Sequence, residues 1–184
     1  MLPSYEHMLE AFYRAVLRPG DGVIDVGAHN GRHSLPCAGA IGPTGRVFGF
    51  EPLPIQHKAL SGLLAAEQAA GSEMAPITLF NCALGDVEGT TDFNIVTDFP
   101  EYSGFQQRQY HAADLRREVI QVQVKTLDGM RMQLGKIRYI KIDAEGGELM
   151  ILRGASALIA EQRPIISFEL GDASLLNYPY TSGD

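Results

Sequence analysis

"VIDVGAHNGRHS", residues 23–34, decides how the rest of the chain is read. Val23 to Val26 is a short apolar run broken only by Asp25, and the residues after it change character at once. Gly27 and Gly31 bracket Ala28, His29 and Asn30, so an extended backbone must turn tightly here. Glycine has no Cβ to obstruct such a turn and leaves room for a ligand against the chain. A helical stretch near Ser34–Ile41 follows. Pro36 fits it only in the first turn, where its missing N–H costs little. Strand, glycine turn and helix together make one βα unit.

The alternation continues outward from this unit. Arg46–Phe50 reads as a second strand ending at Glu51, after the turn signal "GPTG" at 42–45. Pro54 starts a helix through about Ala70, with Leu60, Leu63 and Leu64 on its inner face and Gly71 as its stop. Ile77–Phe80 is a third buried strand and Arg138–Ile142 a fourth. A helical stretch runs from about Glu148 to Glu161, broken near Gly154, and "IISFEL" (165–170) is a fifth strand. Strands written as continuous apolar runs between helices indicate a parallel sheet covered on both faces.

Three further segments complete this α/β, doubly wound, mostly parallel arrangement. Tyr5, Met8, Leu9, Phe12 and Val16 share one face at helical spacing, which predicts an N-terminal helix opened by Pro3-Ser4 and closed by Pro19-Gly20. "GTTDFNIV" (89–96) and "VIQVQV" (119–124) read as an inserted β-hairpin, and "TLDGM" (126–130) as a short helix capped by Thr126 or Asp128. Between the hairpin arms lie residues 97–118, with Phe99, Tyr102, Phe105 and Tyr110. A stretch that long inside a compact domain is usually functional or disordered; its aromatics could form a lid over a strand-end pocket or stack on substrate and set acceptor specificity, and could equally make a self-packed loop or a subunit contact. One domain over 1–184 follows: an N-terminal helix in 1–20, a ligand-binding half in 21–96, the candidate lid in 97–118 and the rest of the sheet in 119–184.

Bulk properties narrow the function. At 184 residues, 45% of them hydrophobic, the chain buries about 70% of its unfolded surface and needs no staples. A net charge of −7 argues against nucleic acid as a partner, because a grip on phosphates wants clustered Lys and Arg. "LRRE" (115–118) is too short to supply one. No run approaches 18 apolar residues, and the N-terminus lacks the basic start and unbroken apolar core of a signal peptide. No membrane partner and a cytoplasmic location are expected. Cys37 and Cys82 have no CxxC or Cys/His spacing and read as reduced, partly buried thiols. His33, His57 and His111 show no ligand spacing and read as surface residues.

In open α/β sheets, ligands gather beyond the carboxyl ends of the strands. The residues there are Asp25 and Gly27 to Gly31, Glu51, Asn81 to Leu84, Asp143 to Gly146, and Glu169. Glu51 lies 24 residues past Gly27, a spacing suited to holding a ribose diol. The dinucleotide fingerprint GxGxxG is absent, since His29 stands at its second glycine, so a pyrophosphate is disfavoured. Asp25 at the start of the loop favours a ligand with an ammonium group, such as the amino-acid end of S-adenosylmethionine.

"VIDVGAHNG", "VFGFEP", "NCALGD", "VKTLDG" and "IKIDAEGGELMILRGA" together resemble the FkbM family of S-adenosylmethionine-dependent methyltransferases, from about Asp21 to Leu170. The first two blocks are shared across the wider class, whereas "KIDAEGGE" after "TLD" is more specific to the family. The resemblance implies a Rossmann-like methyltransferase fold that O-methylates hydroxyls of small molecules or sugars. It implies that Asp25, Gly27, Ala28, His29, Asn30 and Gly31 surround the methionine portion. Glu51 would hold the ribose, Asn81 to Ala83 would line the adenine, and Asp143 and Glu145 would lie near the reacting methyl. Only "GDASLLNYPYTSGD" follows the fifth strand, so the usual C-terminal antiparallel hairpin is expected to be missing.

Methyl transfer to a hydroxyl needs a group to accept the proton. Asp143 ranks first because it ends the central fourth strand, with Glu145, Glu169 and His29 behind it. Glu145 could instead cap the following helix, where a carboxylate suits the dipole. Lys141 reads as a structural ion-pair partner. Two carboxylates, Asp143 and Glu145, are too few to indicate a metal site, and none is expected. Other readings stay open at this stage: a nucleoside-binding module without catalysis, and an NAD-dependent oxidoreductase, which His29 weakens. A small-molecule substrate is expected, and a homo-oligomer is compatible with these residues.

Overall fold

The computed structural model describes residues 4–98, 103–106 and 116–169, together with 178, 181 and 183. Its first helix is α1 (Tyr5–Val16), followed by β1 (Gly22–Val26), α2 (Ser34–Ile41), β2 (Arg46–Phe50), α3 (Pro54–Ala69) and β3 (Ile77–Phe80). Next come three short extended segments, β4 (Ala83–Leu84), β5 (Gly89–Val96) and β6 (Arg117–Lys125). The chain continues through α4 (Leu127–Leu134), β7 (Tyr139–Ile142), α5 (Glu148–Arg153), α6 (Ser156–Gln162) and β8 (Ile165–Phe168).

The main sheet has the order β3-β2-β1-β7-β8, and every pairing in it is parallel. Both faces are covered. Val23, Val47 and Tyr139 point into a core shared with Tyr13 of α1 and Cys37, Ala38 and Ile41 of α2. Their neighbours Ile24, Phe48, Ile140 and Ile142 point the other way, into a core with Leu127 and Leu134 of α4, Ile151 of α5 and Leu158 of α6. That is why these strands read as unbroken apolar runs: alternate residues go to opposite cores and neither face meets water. The expected third strand is an edge, only half-buried. Cys37 and Cys82 are both free and buried.

A second sheet, β4-β6-β5, contains the expected hairpin, with β5 and β6 antiparallel from Gly89↔Val124 to Val96↔Arg117. Its inward residues Phe93, Val122 and Val124 pack with Leu53 and Ala83 in a core of their own. Most of the 97–118 stretch, including Phe99, Tyr102, Tyr110 and His111, lies outside the described residues, as does most of the segment after β8.

Of the two caps expected for α4, one is observed. Thr126 is the cap of α4, accepting the Gly129 N–H at 3.0 Å, while Asp128 reaches across to the Ala157 and Leu158 N–H groups at 2.9 and 2.8 Å at the start of α6. The α1 face is also different from the one expected. Tyr5, Met8 and Phe12 are 47%, 51% and 45% exposed, whereas Tyr13 and Leu17 are buried. The helix is rotated so that Glu6, Glu10 and Tyr13 face the domain, for reasons that lie in the site.

The break between α5 and α6 is a close backbone approach. A Cβ on Gly154 would lie 1.9 Å from the Gly85 carbonyl oxygen at the end of β4, and no flexible side chain is there to give way. Gly154→Ala is expected to cost about 1–3 kcal/mol and to lower Tm by roughly 2–12 °C in a thermal melt. An unchanged Tm would show that this backbone contact moves freely.

Candidate functional site

Strand order turns around between β1, which continues to β2 on one side, and β7 on the other, so the switch point lies between β1 and β7. A cavity of about 290 Å³ opens at the carboxyl ends of these strands, at the small end of the ~300–1,000 Å³ common for ligand sites. Its two ends differ chemically. On the β3 and β2 side its walls are Leu53, Cys82, Ala83, Leu84, Phe93 and Phe105; on the β7 side they are Glu6, Arg32, His33, Lys141, Asp143 and Glu145.

Glu51 stands between these halves, on the loop after β2. It is 3% exposed, and its two oxygens accept the His29 N–H at 2.8 Å and the Leu53 N–H at 2.9 Å. Burial pushes its carboxyl above the ordinary value, and the two N–H donors hold back part of that shift. Asn81 secures the loop from behind, its amide donating to the Glu51 and Pro52 carbonyls at 2.9 and 3.1 Å. The glycine turn joins the same network. Gly27 and Ala28 donate to the Phe50 carbonyl, and His29 adopts a left-handed φ of 43°. Gly27 has a φ of 76°, and a Cβ there would lie 2.2 Å from the Asp143 carbonyl oxygen, so the β1 and β7 loops touch only because residue 27 is glycine.

Beneath the turn lies a buried ionic cluster. Lys141 Nζ, in a residue 4% exposed, is 3.4 Å from both Asp25 Oδ1 and Asp143 Oδ2. Burial alone would favour the neutral amine, but the two carboxylates outweigh it and hold the ammonium above its ordinary range. Ser34 Oγ donates to the other Asp25 oxygen at 2.6 Å. The chain itself thus places an ammonium beside Asp25.

The 143–147 loop is shaped by Glu148, not Glu145. Glu148 is buried, and its Oε1 accepts the Ala144 and Gly146 N–H groups, both at 3.1 Å. This holds Glu145 at a left-handed φ of 54° on the cavity wall. Strain of this kind persists where surrounding structure over-determines it, often at functional sites.

At the far end α1 closes the cavity. His33 is 6% exposed, a correction to its reading as a surface residue. Its Nε2 is 2.6 Å from Glu6 Oε2 and its Nδ1 3.4 Å from the Tyr13 hydroxyl. Burial is the main reason that its pKa falls below the ordinary histidine value, helped by Lys141. Arg32 ties the next turn of α1 through Glu10 at 2.6 Å. These polar anchors fix the rotation of α1 and leave Tyr5, Met8 and Phe12 outward.

Of the residues expected from sequence, Gly27, Ala28, His29, Asn30, Glu51, Ala83, Asp143 and Glu145 line the cavity. Asp25, Gly31 and Asn81 stand behind the wall as supports, and Glu169 borders a shallow depression beside it, with Tyr5, Glu6 and Asp143. There burial, then Asp143 and Glu6, push the Glu169 carboxyl above its ordinary value. Glu6, Arg32, His33, Phe93 and Ser103 also line the cavity, although nothing in their local spacing marks them. Among the described residues no group of three His, Cys, Asp or Glu is placed to hold a metal ion, and no helix is long and apolar enough to cross a membrane.

A parallel sheet of this order with a cavity at its switch point defines a doubly wound, Rossmann-like fold. The family model for the methyltransferase FkbM domain matches residues 25–175. The chain belongs to the FkbM methyltransferase family. Among solved structures it is similar to methyltransferase FkbM from Methylobacillus flagellatus KT, with a TM-score of 0.57 and 21% identity. That match covers 86% of this chain and 34% of the other, so the chain corresponds to about a third of that protein. A second similar structure, described as an rRNA-methylase from Clostridium thermocellum, has a TM-score of 0.40 and 20% identity over 45% of this chain and 42% of that one. No curated protein matches the chain.

Proposed function

We propose that the cavity binds S-adenosylmethionine and that the chain transfers its methyl group to a hydroxyl of a small molecule or sugar. The carrying observation is Glu51, a buried carboxylate fixed by two backbone donors on the wall of the cavity, between an apolar half and a polar half. A nucleoside with an amino-acid tail matches this division. Glu51 suits the ribose diol, the walls on the β3 side suit the base, and the turn from Gly27 to Asn30 suits the tail.

When bound, S-adenosylmethionine supplies a methyl group activated by its sulfonium. The chain's own task is to hold the acceptor in line and exclude water, and positioning of this kind is worth about 7–11 kcal/mol in favourable cases. The acceptor's hydroxyl proton passes to a carboxylate oxygen of Asp143. That residue lies on the wall at the end of β7, steadied by Lys141 at 3.4 Å. Glu145 is the alternative proton acceptor on the same loop, and Glu169 binds the acceptor from the adjoining depression.

Thermal unfolding with S-adenosylmethionine, and with NAD as control, tests the reading. At 100 times its Kd a ligand stabilises the fold by about 2.7 kcal/mol, a rise in Tm of roughly 5–10 °C for a chain of this size. A shift with S-adenosylmethionine alone is expected. No shift, or an equal shift with NAD, removes the proposal.

A further inference from the structure

The second sheet is an insert between β3 and β7, and it contributes Phe93, Ser103 and Phe105 to the cavity wall. We infer that the described part of this insert walls the purine end of the cofactor site, so that Phe105, Phe93 and Ser103 grip the nucleobase. The inference rests on the reading of the cavity as an S-adenosylmethionine site.

Strand order gives the direction. With the ribose at Glu51, on the loop after β2, and the amino-acid tail over the β1 turn, the base must leave toward β3, the next strand in the sheet. The insert grows from that same side, because β4 follows β3 directly and pairs with β6. Its apolar residues share one core with Leu53 and Ala83, which line the cavity beside Glu51. Chemistry agrees with position. A hydroxyl-rich acceptor would lose its water here without partners, a cost of about 1–3 kcal/mol for each unpaired group, whereas a purine presents flat apolar faces.

Phe105 is built for the role. Its carbonyl accepts the Asn94 amide at 3.0 Å, and its neighbour Gly104 exchanges two backbone hydrogen bonds with Asn94, at 2.9 and 3.0 Å. Its ring meets Phe93 edge-to-face, with centroids 5.4 Å apart. On the opposite side a Cβ on Gly147 would lie 3.5 Å from the same ring, so Phe105 spans from the insert to the 143–147 loop. Ser103 is buried, and its Oγ accepts the Val96 N–H at 3.1 Å, leaving its own proton to donate to a ring nitrogen.

Titration calorimetry with S-adenosylhomocysteine and with adenosine tests this. Phe105→Ala is expected to weaken both ligands by the same factor, roughly 5- to 150-fold, the range for loss of a base–aromatic stack. Phe105→Leu keeps the apolar volume and should fall between, and it carries the test if the alanine variant unfolds. Wild-type affinity for both ligands in Phe105→Ala and Phe105→Leu overturns the inference. So does a loss confined to S-adenosylhomocysteine, which would put Phe105 at the tail. Wild-type protein that binds neither ligand overturns the cavity reading itself, and that outcome is seen before any variant is made.

Discussion

Lys141→Met is expected to destabilise the fold by about 3–5 kcal/mol, the usual consequence of removing one partner from a buried ion pair. For a chain of this size Tm falls by roughly 6–20 °C. The reason is what stays behind. Asp25 is 1% exposed and keeps only the Ser34 hydroxyl at 2.6 Å once the ammonium is gone. A carboxylate in that position has no water to turn to, and β1 is central to the sheet, so it cannot shift outward without breaking pairings on both sides. Methionine is uncharged and only one heavy atom shorter than lysine, which largely separates lost charge from lost volume. The double variant Asp25→Asn/Lys141→Met removes both charges and is expected to recover at least half of the loss, a coupling readable in a double-mutant cycle. If Lys141→Met melts within about 1 kcal/mol of the wild type, the cluster is not the keystone of the β1–β7 junction.

That cluster also shows how far the sequence could be read. The strands and the cavity-facing loops were legible because a two-sided parallel sheet writes itself as apolar runs ending in polar residues. Asp25 and Lys141 were both visible, but not their distance. A carboxylate at the start of the turn reads as a ligand contact until the register sets Asp25 opposite Lys141. The same limit applies to α1. Its helical spacing permits two overlapping stripes, and the choice between them rests on Tyr13 and Glu6 meeting His33 and on Glu10 meeting Arg32. Those contacts join residues about 20 or more apart, which periodicity cannot register. Glu145 and Glu148 differ in role through a left-handed φ at residue 145, and no feature of "DAEGGE" says which of the two carboxylates folds back.

Glu51→Ala is expected to weaken S-adenosylhomocysteine binding by about 100-fold or more, because hydrogen bonds to a charged group are worth about 1.5–3 kcal/mol each and a ribose diol offers two. The side chain also holds the His29 and Leu53 N–H groups, so Glu51→Gln is the needed companion. It retains one acceptor but sets an amide N–H against a backbone donor, and it should lose most of the affinity with little change in volume. A pH titration of the wild type makes the test independent of either variant. Burial raises the Glu51 carboxyl above its ordinary value, and the charged form is the one that accepts from both hydroxyls. Affinity should therefore fall as pH drops through a midpoint above the usual glutamate range. Stability runs the other way. A carboxyl whose folded-state pKa is raised contributes most to folding below the unfolded value, and that contribution is lost as pH rises through the folded one. Binding and folding thus make opposite demands on one group, as expected where a buried charge is kept for a ligand. Affinity that is flat down to the ordinary glutamate value, in a protein whose Glu51→Ala variant still binds, would mean that the ribose is held elsewhere and that Glu51 serves only to tie the β1 turn to the β2 loop.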